Sequence, residues 1–164
     1  MSSSYRVRVY KEAFDFSAGH FITYKSECES IHGHNYRVEV QLAGDIGPDR
    51  YVYNFSDLKP VVKDECNQLD HRMLLAMKNP LIEYRQTETE VEARFEKRRY
   101  VFPLEEVALL PVENTTAEEL AAYLAKRIRG RLAAQLRPEL PNLHFLEVGV
   151  EEQPGQMAYY SEEW

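Results

Sequence analysis

The run His32-Gly33-His34-Asn35-Tyr36-Arg37-Val38-Glu39-Val40-Gln41-Leu42 alternates without a break. His32, His34, Tyr36, Val38, Val40 and Leu42 share one parity, while Arg37, Glu39 and Gln41 occupy the other. Successive side chains of an extended chain point to opposite faces. The run is therefore a strand with one face toward a core and one toward water, and both histidines of HGH extend the apolar face. Tyr5, Val7 and Val9 begin another strand. After a slip around Lys11 to Ala13, its pattern resumes on even positions as Phe14, Phe16, Ala18 and His20, and a β-bulge accounts for the change of parity. Near the end of the chain Leu146, Val148, Val150 and Glu152 share a face, which sets a carboxylate at the buried end of a strand. Beyond the turn-forming residues from Ala43 to Asp49, Tyr51 to Phe55 reads as a further short strand.

Two segments have helical rather than strand periodicity. Leu58, Val61, Val62, Cys66 and Leu69 form an apolar stripe, with Ser56 or Asp57 as cap and Pro60 in the first turn. Thr116-Ala117-Glu118-Glu119 is a capping box ahead of Leu120, Tyr123, Leu124, Ile128, Leu132 and Leu136, a stripe that stops before Pro138. Between them, residues 80–103 read as an inserted hairpin: Val91, Ala93 and Phe95 alternate before Glu96-Lys97-Arg98-Arg99, and Tyr100 and Phe102 alternate after it. It suggests an edge element or a contact between subunits. The order predicts an α+β fold, an antiparallel sheet with two long helices packed on one face. It spans residues 1–164 as one domain, a size that can bury a core.

Charge and composition exclude several partners. Lys plus Arg number 20 against 27 Asp plus Glu, a net of −7, and no basic run offers a surface for tracking phosphates. No nucleic acid partner is expected. No stretch approaches the roughly 18 apolar residues of a membrane helix, and MSSSYRVRVYKE lacks the apolar core of a secretory signal. The reading is a cytoplasmic protein without a membrane partner. Cys28 and Cys66 are too few for a disulfide framework, and Cys66 lies on a buried helical stripe.

The histidines carry the chemistry. On a strand, the imidazoles of His32 and His34 point the same way about 7 Å apart along the chain, and His20 ends another strand on the apolar parity. An isolated H-x-H is as well explained by satisfied core histidines. Three histidines in phase with buried faces point instead to a metal, and three imidazoles suit Zn²⁺ with an open fourth position. Cys28, in KSECESIHGHNY, is an ordinary loop cysteine, a fourth ligand, or a thiol whose pKa nearby cations lower enough for it to act as base. Asp70-His71 is a carboxylate–imidazole pair, or merely a favourable cation at a helix C-terminus. Glu152 needs a partner if it is buried, and a ligand with a fork of N–H donors would supply one. Glu147, Glu151, Glu162 and Glu163 read as a solvated acidic surface, and His144 as structural or exposed.

Taken in order, FDFSAGH, CESIHGHNY, YNFSDLK, LDHRMLL, PVENTTAEEL and VGVEEQPGQMAYY resemble the successive signatures of the 6-pyruvoyltetrahydropterin synthase and 6-carboxytetrahydropterin synthase family. The resemblance covers most of the chain outside residues 80–108. It implies that His20, His32 and His34 bind zinc, that Cys28 is the catalytic base, and that Asp70 and His71 work with it. It implies further that Glu152 anchors the pterin and that Thr115 and Thr116 border its pocket. The family's tunnelling fold joins subunit sheets into a barrel with active sites between chains, so a homo-oligomer, a hexamer of two trimers, is implied. So is a pterin triphosphate substrate, 7,8-dihydroneopterin triphosphate, converted to 6-carboxytetrahydropterin on the route to queuosine. Alternatives are the 6-pyruvoyl product, side-chain cleavage to 6-hydroxymethyl-dihydropterin for folate synthesis, and a protein of this fold that binds a purine or pterin without turnover. Three features depart from the family pattern: Gln153 stands where Thr or Ser is common, Asn54 where Asp is usual, and the insertion is long. Glu27 and Glu29 flank Cys28, and a branch of the family that cleaves the side chain uses a glutamate near this place.

Overall fold

The computed structural model describes residues 5–135 and 143–164. Leu136 and Pro138, expected at the end of the second helix, lie outside the described residues. The first strand, β1 (Tyr5–His20), runs through the expected irregularity, its register with the next long strand shifting between Tyr10 and Asp15. Two short strands follow, β2 (Thr23–Tyr24) and β3 (Glu27–Cys28), then β4 (His32–Gly44). Helix α1 (Phe55–Leu69) leads into β5 (Arg72–Ala76), and β6 (Glu83–Gln86), β7 (Glu90–Phe95) and β8 (Arg98–Pro103) form a meander. The chain continues through β9 (Val107–Leu110) and α2 (Ala117–Gln135) to β10 (Leu143–Gln153) and β11 (Gln156–Glu163).

The main sheet has the order β11-β10-β4-β1-β5-β9. Even-numbered residues of β1, β4 and β10, among them Phe14, Phe16, Tyr36, Val38, Val40, Val148 and Val150, form one core with Leu58, Val62 and Cys66 of α1 and Leu120, Leu124 and Ile128 of α2. The two helices thus cover one face, as the alternation required. Tyr10 and Tyr159 on the other face are exposed. The sheet is mixed rather than wholly antiparallel, because β5 pairs parallel with both β1 and β9. Neither β5 nor β9 stands out in the sequence. Each is short and apolar, and such runs carry no alternation to set them apart from other buried segments.

Other boundaries also differ from the sequence reading. Residues 51–54 form no strand: Val52 and Tyr53 are both buried, so the chain turns through here instead of alternating. Asn54 caps α1, its side chain accepting from the Ser56 amide at 2.8 Å, in place of Ser56 or Asp57. Pro60 is therefore the sixth helical residue, beyond the first turn; Ser56, whose carbonyl it leaves unpaired, is exposed to water. Thr116 does cap α2, with Oγ1 accepting from the Glu119 amide at 3.4 Å. The insertion is three strands, not two. Its Val91, Ala93 and Phe95 build a second core with Phe21, Cys28, Leu75 and Ile82, so the meander packs within its own chain. The acidic surface is less free than expected: Glu162 pairs with Arg129 at 2.8 Å, and Glu151 accepts from the Gly155 amide at 3.0 Å. His144 is exposed, 3.1 Å from Asp45. Among the described residues, no helix is long and apolar enough to cross a membrane.

One buried charge ties the helices together. Glu65 of α1 is 2% exposed and accepts from Arg127 at 2.8 Å and from Arg131 at 3.4 Å, both on α2. Arg127→Ala leaves a buried carboxylate with only the longer contact, so unfolding by denaturant is expected to show a loss of about 1–3 kcal/mol.

Candidate active site

The antiparallel register of β1 and β4 sets His20 directly opposite His32 and Ala18 opposite His34. Their shared parity brings one nitrogen from each of His20, His32 and His34 within 4.8 Å of one another. His20 is wholly buried; His34 is 15% exposed and His32 38%, so His32 lies at the open end of the face rather than in the core.

Hydrogen bonds fix the tautomers. His20 Nδ1–H donates to the Thr115 carbonyl at 2.9 Å and His32 Nδ1–H to the Ser30 carbonyl at 2.8 Å. Carbonyl oxygens only accept, so both Nδ1 atoms carry the proton and both Nε2 atoms present lone pairs. Those Nε2 atoms face each other at 3.1 Å. Burial, helped by the neighbouring imidazoles and opposed by the Thr115 bond, pushes His20 down to about 4, so His20 is neutral near pH 7. Two facing lone pairs at this distance repel unless a cation lies between. The donor set therefore fits a divalent ion of the nitrogen-loving kind, and bonds from each Nδ1–H to a carbonyl are what orient metal-binding imidazoles.

Gly33 is required between the two histidines of β4, where the strands approach closely: a Cβ there would sit 2.9 Å from the Ala18 carbonyl oxygen. Gly33→Ala must push β1 away from β4. Thermal unfolding is expected to report a cost of about 1–3 kcal/mol, and a metal titration weaker binding.

Around the triad, the expected site residues are divided. Lys25 and Ser26, both with positive φ, make the tight turn between β2 and β3 that carries Cys28. Cys28 is 4% exposed and packed in the second core; it is not a member of the histidine group. Its thiol is not lowered as expected. Burial pushes it up, with Glu29 adding to the rise and Arg98 opposing it. Arg98 of the meander donates to the Cys28 carbonyl at 2.7 Å and the Glu29 carbonyl at 3.3 Å, so the insertion holds this loop in place. The Glu29 carboxylate approaches His32 Nε2 at 4.0 Å.

Asp70 and His71 do form a pair, with His71 Nδ1 2.9 Å from Asp70 Oδ2. Desolvation would raise the Asp70 carboxyl, but the Ser17 amide, donating at 2.8 Å, and His71 together hold it below the usual carboxylate range. His71 sits at φ 55, a strained conformation for a residue with a side chain. Its imidazole is 83% exposed. It lines an open cleft together with Ser17, Gly19, Asn35 and, from the triad, His32 and His34.

Glu152 follows its expected parity, but Oε1 turns to the histidines, 3.6 Å from His34 Nε2 and 3.7 Å from His20 Nε2. Thr115 is wholly buried: Oγ1 donates to the Phe21 carbonyl at 3.3 Å while its own carbonyl orients His20, so it exposes nothing to a pocket in this chain. Thr116 caps its helix. Sequence reasoning passed over Tyr36 as a core residue. Its hydroxyl lies 3.3 and 3.4 Å from the His20 nitrogens and beside Glu152; burial first, and that carboxylate second, push its pKa up.

The model of the family described as 6-pyruvoyl tetrahydropterin synthase matches residues 8–163. A Methanocaldococcus jannaschii protein named putative 6-carboxy-5,6,7,8-tetrahydropterin synthase is 36% identical over 146 residues, covering 88% of each chain. A Pyrococcus furiosus dihydroneopterin monophosphate aldolase is 40% identical over 76 residues, 46% of this chain and 63% of that one. The fold superposes on Plasmodium vivax 6-pyruvoyltetrahydropterin synthase, solved as a variant with a catalytic glutamate replaced by alanine. That similarity has a TM-score of 0.92 at 28% identity and covers 99% of this chain and 100% of the other.

Proposed function

The chain belongs to the 6-pyruvoyl tetrahydropterin synthase family, and from that premise we propose that it converts 7,8-dihydroneopterin triphosphate to 6-carboxy-5,6,7,8-tetrahydropterin. The observation that carries the reading is the cluster of three imidazoles, one nitrogen from each within 4.8 Å of the others. Zinc held by His20, His32 and His34 would act there as a Lewis acid on the side-chain oxygens of the substrate. Cys28, whose loop Arg98 fixes, would take a proton from the side-chain carbon once its thiol ionises. His71, with Nδ1–H donated to Asp70, would deliver a proton from Nε2 in its imidazolium form, which the Asp70 carboxylate stabilises. The pathway assignment to queuosine rests on the names of the relatives together with the retained cysteine.

We infer that the site is completed by a second copy, His71 of one chain meeting the triad of another, because the His71 imidazole is 83% exposed and open to an interface. The exposed aromatic side chains of the open sheet face, Tyr10 and Tyr159, favour such an assembly. A hexamer of two trimers is the assembly we infer.

One observation favours a second reading, cleavage of the side chain to 6-hydroxymethyl-dihydropterin. The Glu29 carboxylate, not the buried Cys28 thiol, lies toward His32, and the relatives include an aldolase and a protein whose catalytic residue is a glutamate. Zinc-loaded protein incubated with dihydroneopterin triphosphate and, separately, its monophosphate separates the readings by product mass. Carboxy-pterin with acetaldehyde is expected; hydroxymethyl-dihydropterin would establish the second reading. Pyruvoyl-pterin would establish the sister activity, and binding with no turnover a purely ligand-holding protein.

A further inference from the structure

The second core holds a polar atom that its packing does not account for. In the meander, Tyr84 of β6 stands opposite Ala93 of β7. Residues directly opposite in paired strands share a face, so Tyr84 turns with Ala93 toward the core that contains Cys28, Val91 and Phe95, and it packs against that core. Among the described residues, the Tyr84 hydroxyl is the one buried side-chain polar atom without a hydrogen-bond partner. Leaving it unpaired forfeits its bond to water with nothing in return, a cost that phenylalanine would not carry. The group in the same core with a use for a donor is the Cys28 thiol, whose charge, once formed, reaches Tyr84.

Neutral Cys28 has a partner of its own: its Sγ–H donates to the Glu29 carbonyl at 3.5 Å. Ionisation removes that bond and leaves a sulfur anion against a carbonyl oxygen, two acceptors that repel. The thiolate then needs another donor. The charged groups that act on it are Arg98, which favours it while Nη1 holds the Cys28 and Glu29 carbonyls, and Glu29, which opposes it. Burial first, and a charge on Cys28 second, push Tyr84 up, so the phenol still carries its proton when the thiol loses its own.

We propose that the Tyr84 hydroxyl is the hydrogen-bond donor that receives the Cys28 thiolate, so that the inserted meander stabilises the base in its active form. The thiol proton leaves to solvent, the phenol keeps its own, and the bond that forms is O–H to sulfur. Tyr84 is thus a positioning residue, acting through Cys28 and not on the substrate. Its effect on turnover rests on the reading of Cys28 as the base.

The test compares Tyr84→Phe with wild type by the rate at which iodoacetamide labels Cys28, followed by peptide mass as the pH is raised. Cys66, whose thiol burial pushes up to about 12, stays unlabelled over the same range. Tyr84→Phe is expected to move the labelling curve up by about one pH unit, which slows labelling about tenfold below the midpoint. It is also expected to lower kcat for carboxy-pterin by about 3–10-fold with KM unchanged. Its resistance to denaturant should match or exceed wild type, because an unpaired hydroxyl has gone. A merely structural tyrosine would change stability alone. Coincident labelling curves overturn the proposal. A shifted curve in a protein whose Cys28→Ala variant still forms carboxy-pterin supports the bond from Tyr84 to Cys28 and overturns Cys28 as the base instead. If iodoacetamide reaches Cys28 at no pH, the thiolate's ultraviolet absorbance, taken as the difference from Cys28→Ala, supplies the same comparison of midpoints.

Discussion

His34→Ala and His71→Ala are each expected to be inactive alone and to regain activity when co-refolded as a mixture. His34→Ala removes one of the nitrogens that converge on a common point. A four-ligand zinc site carries roughly 10–16 kcal/mol of binding free energy, so one ligand is worth about 3 kcal/mol, or about two orders of magnitude in affinity. His71→Ala leaves the metal in place and removes the imidazole that Asp70 orients. A site built from both chains finds an intact triad and an intact His71 in about a quarter of its copies, one half times one half. Activity near a quarter of wild type in the mixture is the expected result. A mixture as dead as its components would mean that each site is made by one chain.

The second large effect separates two adjacent residues. Cys28→Ala is expected to lower formation of carboxy-pterin by about 10²–10⁴-fold, the usual contribution of a positioned base, with zinc content unchanged. Glu29→Gln is expected to leave that product and to abolish any hydroxymethyl-dihydropterin. The thiol's raised pKa means that the rate with Cys28 should climb with pH above neutrality, as more of the thiol ionises. A rate that is flat there and depends on Glu29 would transfer the role of base to the carboxylate, the group that lies toward His32.

Much of this was legible beforehand, for a reason particular to strands. Period two is rigid, so once Val38, Val40 and Leu42 face the core, His32 and His34 must share their side, and the resumed parity of Phe14 and Phe16 commits His20 to the same one. The histidine triad is a consequence of alternation. Helical stripes placed Cys66 in the core in the same way, and Thr116 was readable as a cap because its spacing to Glu119 is local.

What the sequence did not reveal depends on contacts between distant segments. The parallel pairing of β5 with β1 and β9 leaves no alternating trace, and the three strands of the meander read as two until their partners were in place. Cys28 looked like a solvated loop residue because its neighbours Glu27 and Glu29 are charged. Its burial comes from Ile82, Val91 and Phe95, more than fifty residues away. Thr115 looked like a pocket residue, yet its carbonyl is needed by His20 across the core.

The chain's own alternation thus determined which residues converge on one face: His20, His32, His34 and, at the end of the last buried run, Glu152. Only tertiary structure decided what those residues face each other with. The Thr115 and Ser30 carbonyls set the tautomers, the meander turned the Cys28 thiol into a core, and the turn after α1, with His71 at φ 55, left that imidazole exposed beside Asp70. Side-chain direction is a local property of the backbone, whereas protonation, burial and completeness of a site depend on groups that only folding brings near.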